Sequence, residues 1–211
     1  MVKTKEIITV LEILKQTKEP TMLEEYNHLT PYQLLIMTLL SARAKDATLI
    51  PVALNLFKTN STPQEMLKLN QEQLKNKIKK IGFHNTKAKH ILQLSEILIS
   101  KYNGIVPNNL EQLISLPGIG RKTANCILSY VFNIPAIAVD IHVHRITNKT
   151  RLNWINTKNE KQSEQELMKI VPKERWSEVN SLIVDHGQRI CAPLKPKCQY
   201  CQITKFCTYS K

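Results

Sequence analysis

The amino-acid sequence predicts an all-α protein, and three observations carry that expectation. Apolar residues recur at helical spacing along most of the chain. No alternating strand pattern of useful length interrupts them. Glycine is scarce, with only Gly82, Gly104, Gly118, Gly120 and Gly187 present, and four of the five sit at breaks between helical stretches.

The expected helices follow in order. Residues 3–16 carry Ile7, Ile8, Leu11 and Leu14 on one face. Residues 31–43 open with Thr30 as N-cap and Pro31 at the first helical position. Residues 45–58 and 71–80 come next. Residues 86–103 run from a Thr86 cap to Gly104, which suits a left-handed helix end, with Ile91, Leu92, Leu94, Leu98 and Ile99 along one side. Residues 109–115, 120–132, 141–151, 163–171 and 174–190 complete the set.

The charge balance is 30 Lys+Arg against 17 Asp+Glu, a net charge of +13. This favours a polyanionic partner, nucleic acid or a membrane surface. A composition bias rich in Lys, Asn and Ile gives the same excess without function. No run of eighteen or more apolar residues occurs, so no membrane span is expected. The first fifteen residues mix Lys and Glu into an apolar pattern, unlike a signal peptide, and an intracellular protein is expected, in the cytoplasm or nucleoid of a prokaryote.

Four stretches carry chemistry. The first is Leu116-Pro117-Gly118-Ile119-Gly120-Arg121-Lys122-Thr123-Ala124-Asn125, between two helical segments. Two glycines around one apolar residue make a tight turn whose N–H groups can receive an anion at a helix N-terminus. A plain interhelical turn reads the same way, and no preceding strand supports a dinucleotide fingerprint. The second is Ala138-Val139-Asp140-Ile141-His142-Val143-His144-Arg145, where Asp140 precedes a helix and suits an N-cap. The third is Cys191-x6-Cys198-x2-Cys201-x5-Cys207. Four thiolates fit a tetrahedral zinc or a [4Fe–4S] cluster, and a zinc ribbon more often shows two C-x2-C pairs where this chain has one. Cys126 stands apart and reads as a small buried hydrophobe. The fourth comprises Leu39-Leu40-Ser41-Ala42-Arg43 and Ile81-Gly82-Phe83-His84-Asn85, two short stretches that matter through a family resemblance alone.

Together these stretches resemble the endonuclease III family of DNA glycosylases, from Leu34 to Cys207. LPGIGRKTAN is similar to the family's helix-hairpin-helix, VDIH to its V-D-T-H with Ile141 in place of Thr, and the four-cysteine spacing to its iron–sulfur loop. The resemblance implies a two-lobed helix-hairpin-helix DNA glycosylase fold. A helical barrel domain would span 22–135, with the hairpin at 116–125. An iron–sulfur cluster domain would join 1–21 to 136–211. DNA would lie across the cleft, with Lys122 and Asp140 facing each other there.

The resemblance also implies the activity: removal of oxidised pyrimidines from duplex DNA, then strand nicking by β-elimination through a lysine Schiff base. Lys122 would be the catalytic lysine and Asp140 the catalytic carboxylate. The [4Fe–4S] cluster would sit on Cys191, Cys198, Cys201 and Cys207. Arg43, standing where Gln is frequent, and Phe83 would fill the gap left by a flipped nucleotide. For Phe83 a core position is the competing reading. Gly118, Gly120, Arg121, His142, Lys195 and Lys197 complete the expected DNA contacts, and for the two lysines a solvated loop is the alternative. Double-stranded DNA with damaged bases or abasic sites is the expected partner, with no membrane and a monomeric chain. The alternatives are another lesion preference, mismatched thymine or uracil, and a non-catalytic helix-hairpin-helix DNA-binding module. A zinc-ribbon factor is a third.

Overall fold

The structure is a computed structural model and describes residues 2–209, with the side chain of Val2 excepted. It is helical throughout: α1 (Val2–Lys15), α2 (Met22–Glu25), α3 (Pro31–Ser41), α4 (Asp46–Phe57), α5 (Pro63–Met66), α6 (Gln71–Lys77), α7 (His84–Tyr102), α8 (Leu110–Ile114), α9 (Arg121–Cys126), α10 (Ile141–Thr147), α11 (Glu160–Ile170) and α12 (Trp176–Arg189). A π-helical segment, Ile127–Val131, continues α9, and three 3₁₀ turns lie at Lys173–Arg175, Cys198–Tyr200 and Thr204–Phe206. Among the described residues the β pairing is confined to an isolated bridge between Asn148 and Ile155.

The chain divides into two compact units. One is Met22–Phe132; the other joins the N-terminal segment through Thr21 to the chain from Asn133 onward. The second junction falls three residues before the expected 135. Asn133 takes a left-handed φ of 54° there and breaks the helical run.

In the unit Met22–Phe132, α3 lies at the centre. Tyr32, Leu34, Leu35, Ile36, Met37, Thr38, Leu39 and Leu40 are all buried, as suits a helix enclosed on every side. It packs on α4, α7 and the π-helical segment. Its start is set by a capping box: Thr30 Oγ1 accepts from Gln33 N at 3.3 Å, and Gln33 Oε1 accepts from Thr30 N at 2.8 Å. Similar boxes at Thr62/Glu65 and Asn70/Gln73 start α5 and α6. The helix expected to open at Thr86 opens at His84 instead. Phe83 precedes it with φ 59°, and no side chain caps it. Its end matches the expectation: Gly104, at φ 78°, donates its N–H to Leu98 O at 2.8 Å.

The other unit builds its core from α1, α10, α11 and α12. Ile7, Val10, Leu11, Val143, Ile146, Leu167, Val179 and Ile183 are fully or nearly fully buried. Gly187 of α12 allows close approach to α10. A Cβ there would come within 2.7 Å of His142 Nδ1 and 3.0 Å of Ile146 Cδ1. The helix expected to reach residue 151 ends at Thr147. Asn148 leaves the helix to bind a strand-like segment nine residues on, accepting from Thr157 N at 3.0 Å and donating to Thr157 Oγ1 at 3.0 Å.

Candidate active site

The hairpin lies between α8 and α9. Leu116 and Ile119 are buried and anchor it from below, and Ile119 N donates to Leu116 O at 3.1 Å. This leaves Gly118 and Gly120 outward. The two glycines differ. Gly118 is left-handed, φ 78°, and a Cβ there would meet the His90 ring at 2.8 Å. Gly120 is the N-cap of α9 with an ordinary extended backbone, φ −87°, ψ 170°, and a Cβ there would meet nothing within 4 Å. Gly118 alone is therefore held in a backbone region that favours glycine; at Gly120 the missing side chain keeps space open instead. A clean contrast follows. Gly118→Ala is expected to lower the melting stability by about 1–3 kcal/mol, whereas Gly120→Ala should melt like the parent protein. Paired thermal or urea unfolding curves decide it, and equal losses would refute the distinction.

Lys122 is the second residue of α9 and is exposed; Arg121 beside it is half-buried. Cys126, at the end of the same helix, is buried as expected.

Two loops of the same unit adjoin the hairpin. Arg43 follows α3 and Phe83 precedes α7. Both are exposed, and both hold left-handed backbones, φ 56° and 59°. Phe83 is 59% exposed, so it is no core residue. The Arg43 guanidinium lies over the Phe83 ring, 5.1 Å from its centroid. Leu39, Ala42, Arg43, Phe83, Lys87 and Gly118 line a common concavity of about 280 Å³.

In the other unit, Asp140 is the N-cap of α10. One carboxylate oxygen, Oδ1, accepts from His142 N at 2.9 Å and from Val143 N at 3.0 Å. Ile141 is 65% exposed, so the departure from Thr leaves apolar surface next to the carboxylate. The His142 ring packs on Gly187 and is half-buried. That position gives it a packing role, which its sequence position did not disclose.

The four tail cysteines, all unpaired, line one concavity with Ile146, His186 and Ile203. The Arg145 guanidinium donates to Cys191 O at 2.7 Å and approaches Cys191 Sγ at 3.5 Å. His186 Nε2 lies 3.8 Å from Cys201 Sγ. Burial pushes the Cys201 thiol up, and hydrogen bonding from the Ile203 backbone and the Thr204 side chain offsets part of that rise. Among the described residues no three His, Cys, Asp or Glu side chains close to the spacing of a single bound ion. Four soft donors around one concavity, with a guanidinium at one of them, suit a thiolate-bound centre. Within the loop between the first two cysteines, Lys195 and Lys197 are exposed, and Lys197 N donates to Ile190 O at 2.9 Å to close it.

Comparison with known proteins places this architecture in a class. The sequence model of the HhH-GPD superfamily of base excision DNA repair proteins matches residues 36–173. Endonuclease III of Haemophilus influenzae is 40% identical, covering 100% of this chain and 98% of its own length. Endonuclease III of Escherichia coli K12 is 39% identical over 95% of each chain. Among solved structures, a non-covalent endonuclease III–DNA complex superposes with a TM-score of 0.88 at 35% identity, covering 100% of this chain and 97% of its own. A trapped endonuclease III–DNA covalent intermediate gives 0.86 at 35% identity, over 98% and 96%. A thermostable thymine-DNA glycosylase gives 0.85 at 26% identity, over 99% and 96%. The chain belongs to the endonuclease III family of HhH-GPD base excision DNA repair proteins.

Proposed function

We infer that this protein is a base excision repair DNA glycosylase and abasic-site lyase that removes oxidised pyrimidines from duplex DNA. Lys122 at the opening of α9, directly after the hairpin, is the observation that carries the reading. A glycosylase that only hydrolyses needs no amine at that point, whereas a lyase does.

The chemistry assigns a role to each residue. Departure of the base builds positive charge on the sugar, which the Asp140 carboxylate stabilises. The neutral Lys122 amine attacks C1′, the C1′–N bond breaks, and the base leaves with the bonding electrons and takes up a proton. The bonded nitrogen then gives up one of its two protons, the C1′–O4′ bond opens with O4′ taking up a proton, and a protonated imine that keeps one N–H results. Removal of a C2′ proton then expels the 3′-phosphate, and water releases the enzyme. The N–H groups at Gly118 and Gly120 receive a backbone phosphate, and the open space at Gly120 admits it closely. Arg43 and Phe83 occupy the gap left in the stack. Arg121, Lys195 and Lys197 add phosphate contacts, which position the duplex without reading its sequence.

Cys191, Cys198, Cys201 and Cys207 would hold a [4Fe–4S] cluster. Its contribution is structural: it fixes a tail whose short 3₁₀ turns have little core of their own beyond Ile203. Purified protein is expected to be brown, with about four irons per chain. Cys198→Ser should lose most of that iron and melt earlier. Colourless parent protein with stoichiometric zinc would overturn the cluster. No helix among the described residues is long and apolar enough to cross a membrane, and the reading is of an enzyme acting on DNA inside the cell as a monomer.

The direct test is borohydride reduction in the presence of duplexes carrying an oxidised pyrimidine, a G·T mismatch or a preformed abasic site. A covalent adduct with the first and third supports the reading. Adduct with the mismatch in place of the oxidised base moves the lesion preference, and no adduct with any of them leaves a DNA-binding module.

A further inference from the structure

Lys87 is the one buried lysine among the described residues, 6% exposed, although it lies in the strongly basic start of α7 beside exposed Lys89. Its amine is committed to backbone. Nζ donates to Leu40 O at 2.9 Å and to Ala42 O at 2.6 Å, at the C-terminal end of α3. Leu40 O lacks its helical partner because Ala44 N turns back to Ser41 O at 2.9 Å, and Ala42 O belongs to the C-cap residue just beyond the helix. A cation is favoured at such an end. Burial holds the Lys87 amine below the ordinary lysine value, and the two carbonyl bonds offset that desolvation.

The same residue holds the second loop. Lys87 N donates to Phe83 O at 3.0 Å, closing the first turn of α7 on the left-handed Phe83. The two loops also touch directly. Arg43 O sits 3.6 Å from where a Cβ on Gly82 would stand, and the Arg43 guanidinium covers the Phe83 ring. Neither Arg43 nor Phe83 is glycine, and left-handed backbones at such residues persist only where the surroundings over-determine them. Lys87 supplies that constraint for both, one loop through its side chain and the other through its N–H.

We propose that Lys87 is a positioning residue that joins the Arg43 and Phe83 loops into one rigid element, so that the two side chains enter the duplex together. The proposal rests on the glycosylase reading above and adds to it the group that sets the wedge geometry. It gives Lys87 no contact with the reacting atoms.

The test separates insertion from chemistry. Each variant is compared with the parent protein on a duplex carrying an oxidised pyrimidine, where the stack must be opened, and on a single strand carrying a preformed abasic site, where it need not be. Lys87→Met keeps the length and apolar stem and removes the donor. It is expected to lower excision from the duplex by roughly 100-fold, the scale of a small misplacement, while cleavage of the single strand stays within about 2-fold. In an Arg43→Ala, Phe83→Ala background the same substitution should add almost nothing, since the element it positions is gone. Lys87→Gln, which keeps an amide donor, should show a smaller loss of the same selectivity, and it stands in if the Met variant does not fold. Equal loss on both substrates, no loss on either, or a full further loss in the double-alanine background would each overturn the proposal. Failure of the parent protein on both substrates would instead overturn the glycosylase reading.

Discussion

Lys122→Gln is expected to abolish the borohydride adduct and to lower strand cleavage by roughly 10⁴ to 10⁶-fold, the scale on which removal of a covalent nucleophile acts. The substitution is mild for the fold. Lys122 is exposed on the second position of a short helix, and Gln has nearly the helix propensity of Lys. Stability should therefore stay within about 0.5 kcal/mol of the parent, as for other surface changes. Binding to an abasic-site duplex should also survive, weakened only by one lost positive charge. Tight binding without cleavage separates lost chemistry from lost recognition. An adduct that persists in the Gln variant would place the nucleophile on another amine and sink the assignment. Mapping the reduced adduct by peptide mass would then find it.

Much of this site is legible in sequence because it is local. A hairpin between helices, a carboxylate before a helix and four crowded cysteines are each defined by residues a few positions apart. Asp140 illustrates it: the N-cap reading from sequence is the geometry found, with two N–H groups on one oxygen. What escaped was set by contacts across the chain. Lys87 differs from Lys89 by nothing in its local pattern, yet one is buried on the carbonyls of a helix more than forty residues earlier. The left-handed backbones at Arg43 and Phe83 are equally hidden, since neither residue type favours that region. The overlong helix expected to 151 fails at Asn148 for the same reason, a non-local pairing with Thr157. By contrast α5 has a local signal, since Thr62-Pro63-Gln64-Glu65 carries a capping box and an N1 proline, but its four residues are too few to show a helical apolar period.

Asp140→Asn is expected to lower base release by roughly 10²–10³-fold, the range for losing one electrostatic contact to a charged transition state. The structure makes this substitution unusually clean. Asp140 has a structural duty, accepting from His142 N and Val143 N at the start of α10. Asn is as good an N-cap as Asp. The amide oxygen can keep both bonds, so stability should change little while the charge is lost. Asp140→Ala removes cap and charge together, and it should fall in activity to a similar level while melting earlier by about 1 kcal/mol. Because α10 packs against α12 and contributes Val143 and Ile146 to the core of its unit, that loss will register in the global unfolding curve. Cleavage at a preformed abasic site adds a second separation. There the base has already gone, and the charge that Asp140 stabilises during its departure need not form, so the Asn variant should lose less on this substrate than on the intact lesion. Full base release by the Asn variant would reduce Asp140 to a helix cap and leave the carboxylate's catalytic role to another residue.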